Sequence, residues 1–128
     1  MPPSADCNRA ARISAATTTN TARPIRAPLP VVYQPKGVVG VIATWNFPVY
    51  LALGPMIAAL AAGNRVMLKM PETMPRTTAT LRHMLAEVFP ENLVAVFGSE
   101  VTDPATFTAL PFDHLVFTGS PAIGKKFD

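Results

Sequence analysis

Side chains that cross-link a chain or bind metal are almost missing from this sequence. It has one cysteine, Cys7, and two histidines in 128 residues. A single cysteine excludes a disulfide framework or a redox pair within the chain. These three side chains could close a zinc site only with help from carboxylates, so no metal centre is expected. Charge is also scarce. Asp, Glu, Lys and Arg make up 15% of the residues, with eight acids against eleven bases and a net charge of +3. Four of those bases, Arg9, Arg12, Arg23 and Arg26, precede the apolar part of the chain and are separated by Ala, Thr and Pro rather than by stacking aromatics. That pattern gives no support to a nucleic-acid surface. Neither the GxGxxG fingerprint nor a Walker loop occurs.

What the chain has instead is apolar surface, 49% of its residues, and 14 prolines. At this length it is at most one domain, or part of one. So high an apolar fraction with so little charge implies surface that more chain or a partner would cover. Residues 1–30 are rich in Ala, Thr, Pro and Arg, and they read either as a disordered or irregular arm or as an organelle transit peptide. They lack the apolar core of a secretory signal, and the expected location is cytoplasmic.

Residues 38–69 organise the rest. Residues 38–43 form a short β-branched run after Gly37, suited to a buried strand. Thr44, Trp45 and Asn46 interrupt it, and Pro48 suits the first turn of a helix. That helix runs to about residue 62 and stops at Gly63-Asn64. Residues 65–69 resume as a strand. Asn46 thus sits at the carboxyl end of a strand, where open α/β sheets bind ligands. A membrane reading competes, because residues 38–62 carry no charge and are long enough to span a bilayer. Against it, Asn46-Phe47-Pro48 leaves a helix of only about 15 residues, roughly 22 Å, and a strand buried on both faces is itself continuously apolar.

Further along, residues 31–34 are a strand candidate. Thr73 or Thr77 would cap an amphipathic helix over residues 78–89, with Leu81, Met84, Leu85, Val88 and Phe89 as its apolar stripe. His83 on that helix reads as a surface residue. Residues 93–97 are a third strand leading into Gly98, residues 104–110 a short helix, and residues 115–117 a fourth strand. The alternation of strands and helices predicts a mainly parallel sheet with flanking helices. After the fourth strand, Thr118-Gly119-Ser120 opens into a helix, a geometry that serves either as a phosphate cradle or as a plain helix cap. Lys69 closes an apolar strand and is followed by Glu72, and an ammonium and a carboxylate on one strand-end loop can hydrogen-bond a ribose diol.

Taken together, YQPKGVVGVIATWNFPVYLALGPMIAALAAGNRVMLK, the loop over residues 72–75 and FDHLVFTGSPAIGK resemble the aldehyde dehydrogenase superfamily over about three quarters of the chain. FPENLVAVFG and ALPFDHLVFTGS look most like its coniferyl aldehyde branch. The resemblance implies a Rossmann-like domain, here incomplete, over residues 31–128, binding NAD or NADP. It implies that Asn46 helps hold the aldehyde oxygen as an oxyanion. Trp45 with the backbone of Ile42, Ala43 and Thr44 would line the cofactor cleft. Lys69 and Glu72 would reach the adenosine ribose, Gly98 would pass the adenine and Ser120 would bind pyrophosphate. Phe117, Gly119 and Ile123 would complete the pocket. Met70-Pro71 stands where the family usually has Pro-Ser. The implied enzyme oxidises a hydrophobic or aromatic aldehyde, such as coniferyl aldehyde, by cysteine attack, hydride transfer and glutamate-assisted hydrolysis, and works as a homo-oligomer. Neither that cysteine nor that glutamate is found by Asp128, and Cys7 is in the wrong region. The 128 residues alone are therefore expected to be inactive. A noncatalytic nucleotide-binding remnant is the alternative, and a membrane-associated segment over residues 38–62 a third.

Overall fold

The computed structural model describes residues 30–127. The arm expected over residues 1–30 and Cys7 therefore lie outside the described residues, apart from Pro30. Within them the order is β1 (Val38–Ile42), α1 (Pro48–Ala61), β2 (Arg65–Lys69), α2 (Pro75–Val88), β3 (Val94–Phe97), α3 (Pro104–Thr108), β4 (His114–Phe117) and α4 (Pro121–Gly124). The four strands form one sheet in the order β3-β2-β1-β4, and every pairing is parallel. The chain thus steps outward from β1 through β2 to β3, then returns to the other side of β1 for β4. That reversal makes a topological switch point between β1 and β4, the Rossmann-like arrangement in which ligands sit at the strands' carboxyl ends.

Strand residues alternate between the two faces. On one face Val39, Val41, Ala43, Val66, Leu68, Met70 and Val94 pack with Ala52, Met56 and Ala59 of α1 and with Leu81 and Leu85 of α2. Val41, Val66 and Leu68 are no more than 1% exposed, and each contributes about 1.5–3 kcal/mol by burial. The other face is covered from α3. Phe107 is buried there, with its ring centroid 6.1 Å from Phe97 and 5.0 Å from Phe112.

Local chemistry sets the ends of these elements. Pro48 and Pro75 open α1 and α2, where a missing N–H costs nothing. Asn64 does more than stop α1. Its buried side chain donates to Ala59 O at 3.0 Å and accepts from Gly37 N–H at 3.0 Å, so the end of α1 is tied to the entry of β1. Gly37 has φ +129°, and a Cβ there would meet the Asp113 carboxylate. That carboxylate accepts from Val38 N–H at 2.7 Å, joining the starts of β1 and β4.

Several expectations need correction. Residues 31–34 are not a strand. Among the described residues they pair with no strand, and Val31, Val32 and Tyr33 are exposed. Neither Thr73 nor Thr77 caps α2, which starts at Pro75 with Met74 as its N-cap and no side-chain cap hydrogen bond. Met84 and Val88 are exposed; of the expected stripe, Leu81 and Leu85 are buried in the core and Phe89 packs against it. The uncharged run over residues 38–62 divides into β1 and α1, and no helix among the described residues is long and apolar enough to cross a membrane.

Candidate functional site

The strand register sets the floor of the site. Ile42 is paired with Lys69 on one side and Phe117 on the other, and Lys69 with Phe97. These four residues form one lateral row across the carboxyl end of the sheet, on the face away from α1 and α2. Above part of the row lies a cleft of ≈ 420 Å³. Its walls are the segments that leave β1, β2 and β4: Thr44 to Asn46, Met70 to Glu72, and Thr118 to Ser120.

Lys69 is 3% exposed, an unusual burial for a lysine, and its charge is met at once. Nζ donates to Met70 O at 2.8 Å and to Glu72 Oε1 at 2.6 Å. Burial pushes the Glu72 carboxyl up, but the hydrogen bond from Lys69, a backbone hydrogen bond and the Lys69 charge together bring it below its ordinary value. Glu72 is therefore a carboxylate at neutral pH, with 41% of its side chain open to solvent.

Asn46 is oriented by a neighbour. The Thr44 hydroxyl donates to Asn46 Oδ1. Among the described residues this is the only hydrogen bond of that side chain, so the two hydrogens on Nδ2 remain available to a ligand. Trp45 is exposed at the rim. On the opposite wall Ser120 is the N-cap of α4, its Oγ accepting from Ile123 N–H at 3.4 Å. Its own hydroxyl hydrogen stays free to donate. Gly119 lies directly against the Phe117 ring, and a Cβ there would fall 2.5 Å from Phe117 Cζ. Phe127 stands edge-on to that ring at 5.1 Å.

Eleven of the twelve residues singled out from the sequence line this cleft: Asn46, Ile42, Ala43, Thr44, Trp45, Lys69, Glu72, Phe117, Gly119, Ser120 and Ile123. Gly98 does not. It is buried at the end of β3 beneath Thr78 of α2. The lining also includes Met70, Pro71, Pro104, Thr118 and Phe127. Met70, Pro71 and Thr118 follow from their neighbours in sequence, whereas nothing local marks Pro104, which arrives from α3. His83 lies on the outer surface of α2, 3.3 Å from Glu87, with both side chains mostly exposed. Among the described residues no group of three or more His, Cys, Asp or Glu could hold a metal ion.

This chain is similar to a probable coniferyl aldehyde dehydrogenase of Pseudomonas aeruginosa, 57% identical over 95 residues that cover 74% of this chain and 20% of that protein. Among solved structures it superposes on the substrate-bound state of Staphylococcus aureus AldH with a TM-score of 0.68 and 35% identity. It also superposes on a Mycobacterium tuberculosis aldehyde dehydrogenase complexed with NAD+, with a TM-score of 0.64 and 35% identity. Both superpositions cover 73% of this chain and 20% of the other. The chain thus spans about a fifth of the length of these relatives. The model of the aldehyde dehydrogenase family matches residues 5–127, and with the parallel sheet and its switch-point cleft this shows that the chain belongs to the aldehyde dehydrogenase family.

Proposed function

We propose that residues 31–128 form part of the NAD(P)-binding domain of an aldehyde dehydrogenase. The whole enzyme would oxidise a hydrophobic or aromatic aldehyde, such as coniferyl aldehyde, to its carboxylic acid. One observation carries the reading: Asn46, the Lys69–Glu72 pair and Ser120 meet in a single cleft at the switch point of a parallel sheet. The NAD+ complex of the M. tuberculosis relative supports the cofactor, and the identity to the P. aeruginosa protein supports the substrate class. A cytoplasmic location and a homo-oligomeric full-length form belong to the same proposal.

The donors and acceptors of the cleft suit a dinucleotide. Lys69 Nζ spends two of its three N–H groups on Met70 O and Glu72 Oε1, which leaves one for a ribose hydroxyl. Glu72 Oε2 can accept from the adjacent hydroxyl. Ser120 offers an O–H to a phosphate oxygen, while Ile42, Phe117 and Ile123 present apolar walls to a flat ring. When bound, the nicotinamide supplies the hydride acceptor that protein side chains lack.

Asn46 serves the aldehyde. Because Thr44 occupies Oδ1, the amide offers N–H groups to the carbonyl oxygen. Those donors stabilise the negative charge that develops there when a thiolate adds to the carbonyl carbon. The thiolate, and the carboxylate that activates water for thioester hydrolysis, belong in this proposal to the part of the relatives' length that this chain does not span. No thiol or second carboxylate is found among the cleft-lining residues.

The test is titration of the purified chain with NAD+ and with NADP+, followed by calorimetry. Saturable binding of at least one is expected, with no rise in absorbance at 340 nm when coniferyl aldehyde is added. Absence of binding to both would refute the cofactor assignment. Turnover by the chain alone would refute the assignment of the nucleophile.

A further inference from the structure

Arg82 lies outside the cleft but holds the start of the segment that delivers Pro104 to its lining. It stands on α2 beside β3, which is paired only with β2 in the described sheet. The carbonyls of Leu93 and Phe97 accept from Val66 and Met70 of the β2 segment. In a parallel strand the alternate carbonyl, that of Val96, then faces the free edge. Arg82 Nε donates to this carbonyl at 3.1 Å, and Nη2 of the same guanidinium pairs with Glu100. Backbone hydrogen bonds at Glu100 and Gly98, ahead of the Arg82 charge, hold the Glu100 carboxyl below its ordinary value. Thr78, one helical turn before Arg82, presses on the same turn. A Cβ at Gly98 would fall 2.7 Å from Thr78 Cγ2.

From there two local hydrogen bonds lead the chain to the cleft. Val101 N–H returns to Gly98 O at 3.2 Å. Asp103 caps α3 by accepting from Ala105 N–H at 2.9 Å. Pro104 lines the cleft, and Phe107 is fixed against Phe97. The segment that carries Pro104 is therefore gripped at one end by Thr78 and Arg82 and at the other by Phe107. An exposed ion pair alone contributes little. This one differs because one planar fork spans both an edge carbonyl and a carboxylate, a geometry lysine cannot reproduce.

We infer that Arg82 is a positioning residue for nucleotide binding: through Val96 O and Glu100 it holds the segment over residues 98–104, which brings Pro104 to the cleft, beside the end of the ligand bound by Lys69 and Glu72. The inference rests on the cofactor reading above and adds to it a residue that touches no ligand.

The test compares the parent chain with Arg82→Ala, Arg82→Lys and Glu100→Gln in NMR titrations with AMP, NAD+ and nicotinamide mononucleotide. Melting temperatures are measured on the same samples. Arg82→Ala should weaken AMP and NAD+ by a common factor, roughly three- to tenfold, and leave nicotinamide mononucleotide within about twofold. Arg82→Lys should fail to restore the parent values. Glu100→Gln, which keeps the side chain's shape, should show the same pattern and serves where Arg82→Ala does not fold. Unchanged AMP and NAD+ binding in these variants overturns the inference. Equal weakening of all three ligands with a lowered melting temperature also overturns it, by showing a merely structural role. A parent chain that binds none of the three refutes the cofactor reading, and this inference with it.

Discussion

Replacing Lys69 by methionine separates binding from stability. The substitution keeps the buried stem and removes the ammonium, and with it the hydrogen bonds to Met70 O and Glu72 Oε1. Breaking a fully buried ion pair costs about 3–5 kcal/mol, because the survivor is stranded without water. Here the survivor is not stranded, since 41% of the Glu72 side chain is exposed. The loss is then nearer the value of an exposed pair, about 0–1 kcal/mol, plus about 1 kcal/mol for the Met70 carbonyl. Burial of the thioether in a site that is 3% exposed offsets much of that. Stability should change by no more than about 1 kcal/mol. Cofactor affinity should fall much further, because a charge-assisted hydrogen bond to a ribose hydroxyl contributes about 1.5–3 kcal/mol, or roughly ten- to a hundredfold in Kd. Calorimetric titration and urea denaturation on the same preparation read the two effects. A folded Lys69→Met chain with the parent's Kd refutes the role, and a collapse of stability refutes the separation. The same pair gives a pH dependence. The folded-state value of Glu72 is depressed, so its contribution is complete above the ordinary carboxylate value and is lost as pH falls through the lower folded one. Affinity should stay level from pH 8 to pH 5 and fall below the ordinary value of 4.5; a Glu72→Gln chain should not show that acid limb.

The parts of this molecule that were legible in its sequence are those set by local chemistry. Residues 65–69 form β2 with the expected bounds, because a short segment with an apolar centre between Gly63-Asn64 and a proline loop has few other uses. Pro48 opens α1 for the same kind of reason. The cleft was legible because it lies at strand ends, and the register Lys69–Ile42–Phe117 brings those ends together. What could not be read depends on partners distant in sequence. Val31, Val32 and Tyr33 have strand-forming side chains but pair with no strand among the described residues. Residues 99–110 show no clear periodicity, yet Phe107 among them is 2% exposed, since the second face of the sheet needs a cover. Gly98 follows β3 as its sequence suggests, and its burial against Thr78 depends on α2, an element distant in sequence.

The remaining predictions address the chemistry and the wall of the cleft. In a full-length version, Asn46→Ala should lower kcat by about a hundredfold or more, roughly 3 kcal/mol, while cofactor Kd stays within twofold. Unchanged steady-state NADH production would remove Asn46 from the oxyanion site. Phe107→Ala should be among the more damaging single changes in the described residues, although α3 is five residues long. Phe107 is the only buried residue of that helix, and its ring lies between those of Phe97 and Phe112, 6.1 and 5.0 Å away. Truncation removes both aromatic contacts and leaves a cavity that a five-residue helix cannot fill by itself, a cost of about 3–5 kcal/mol. In a domain whose whole stability is on the order of 5–15 kcal/mol, that is a large share. Urea denaturation should show a lowered midpoint with an unchanged slope. Pro104, three residues before Phe107, lines the cleft, so cofactor binding should weaken in the same variant even at temperatures where it remains folded. Phe107→Leu, which refills most of the space, should recover most of both losses. An unfolding free energy within about 0.5 kcal/mol of the parent for Phe107→Ala would mean that α3 does not close the second face of the sheet.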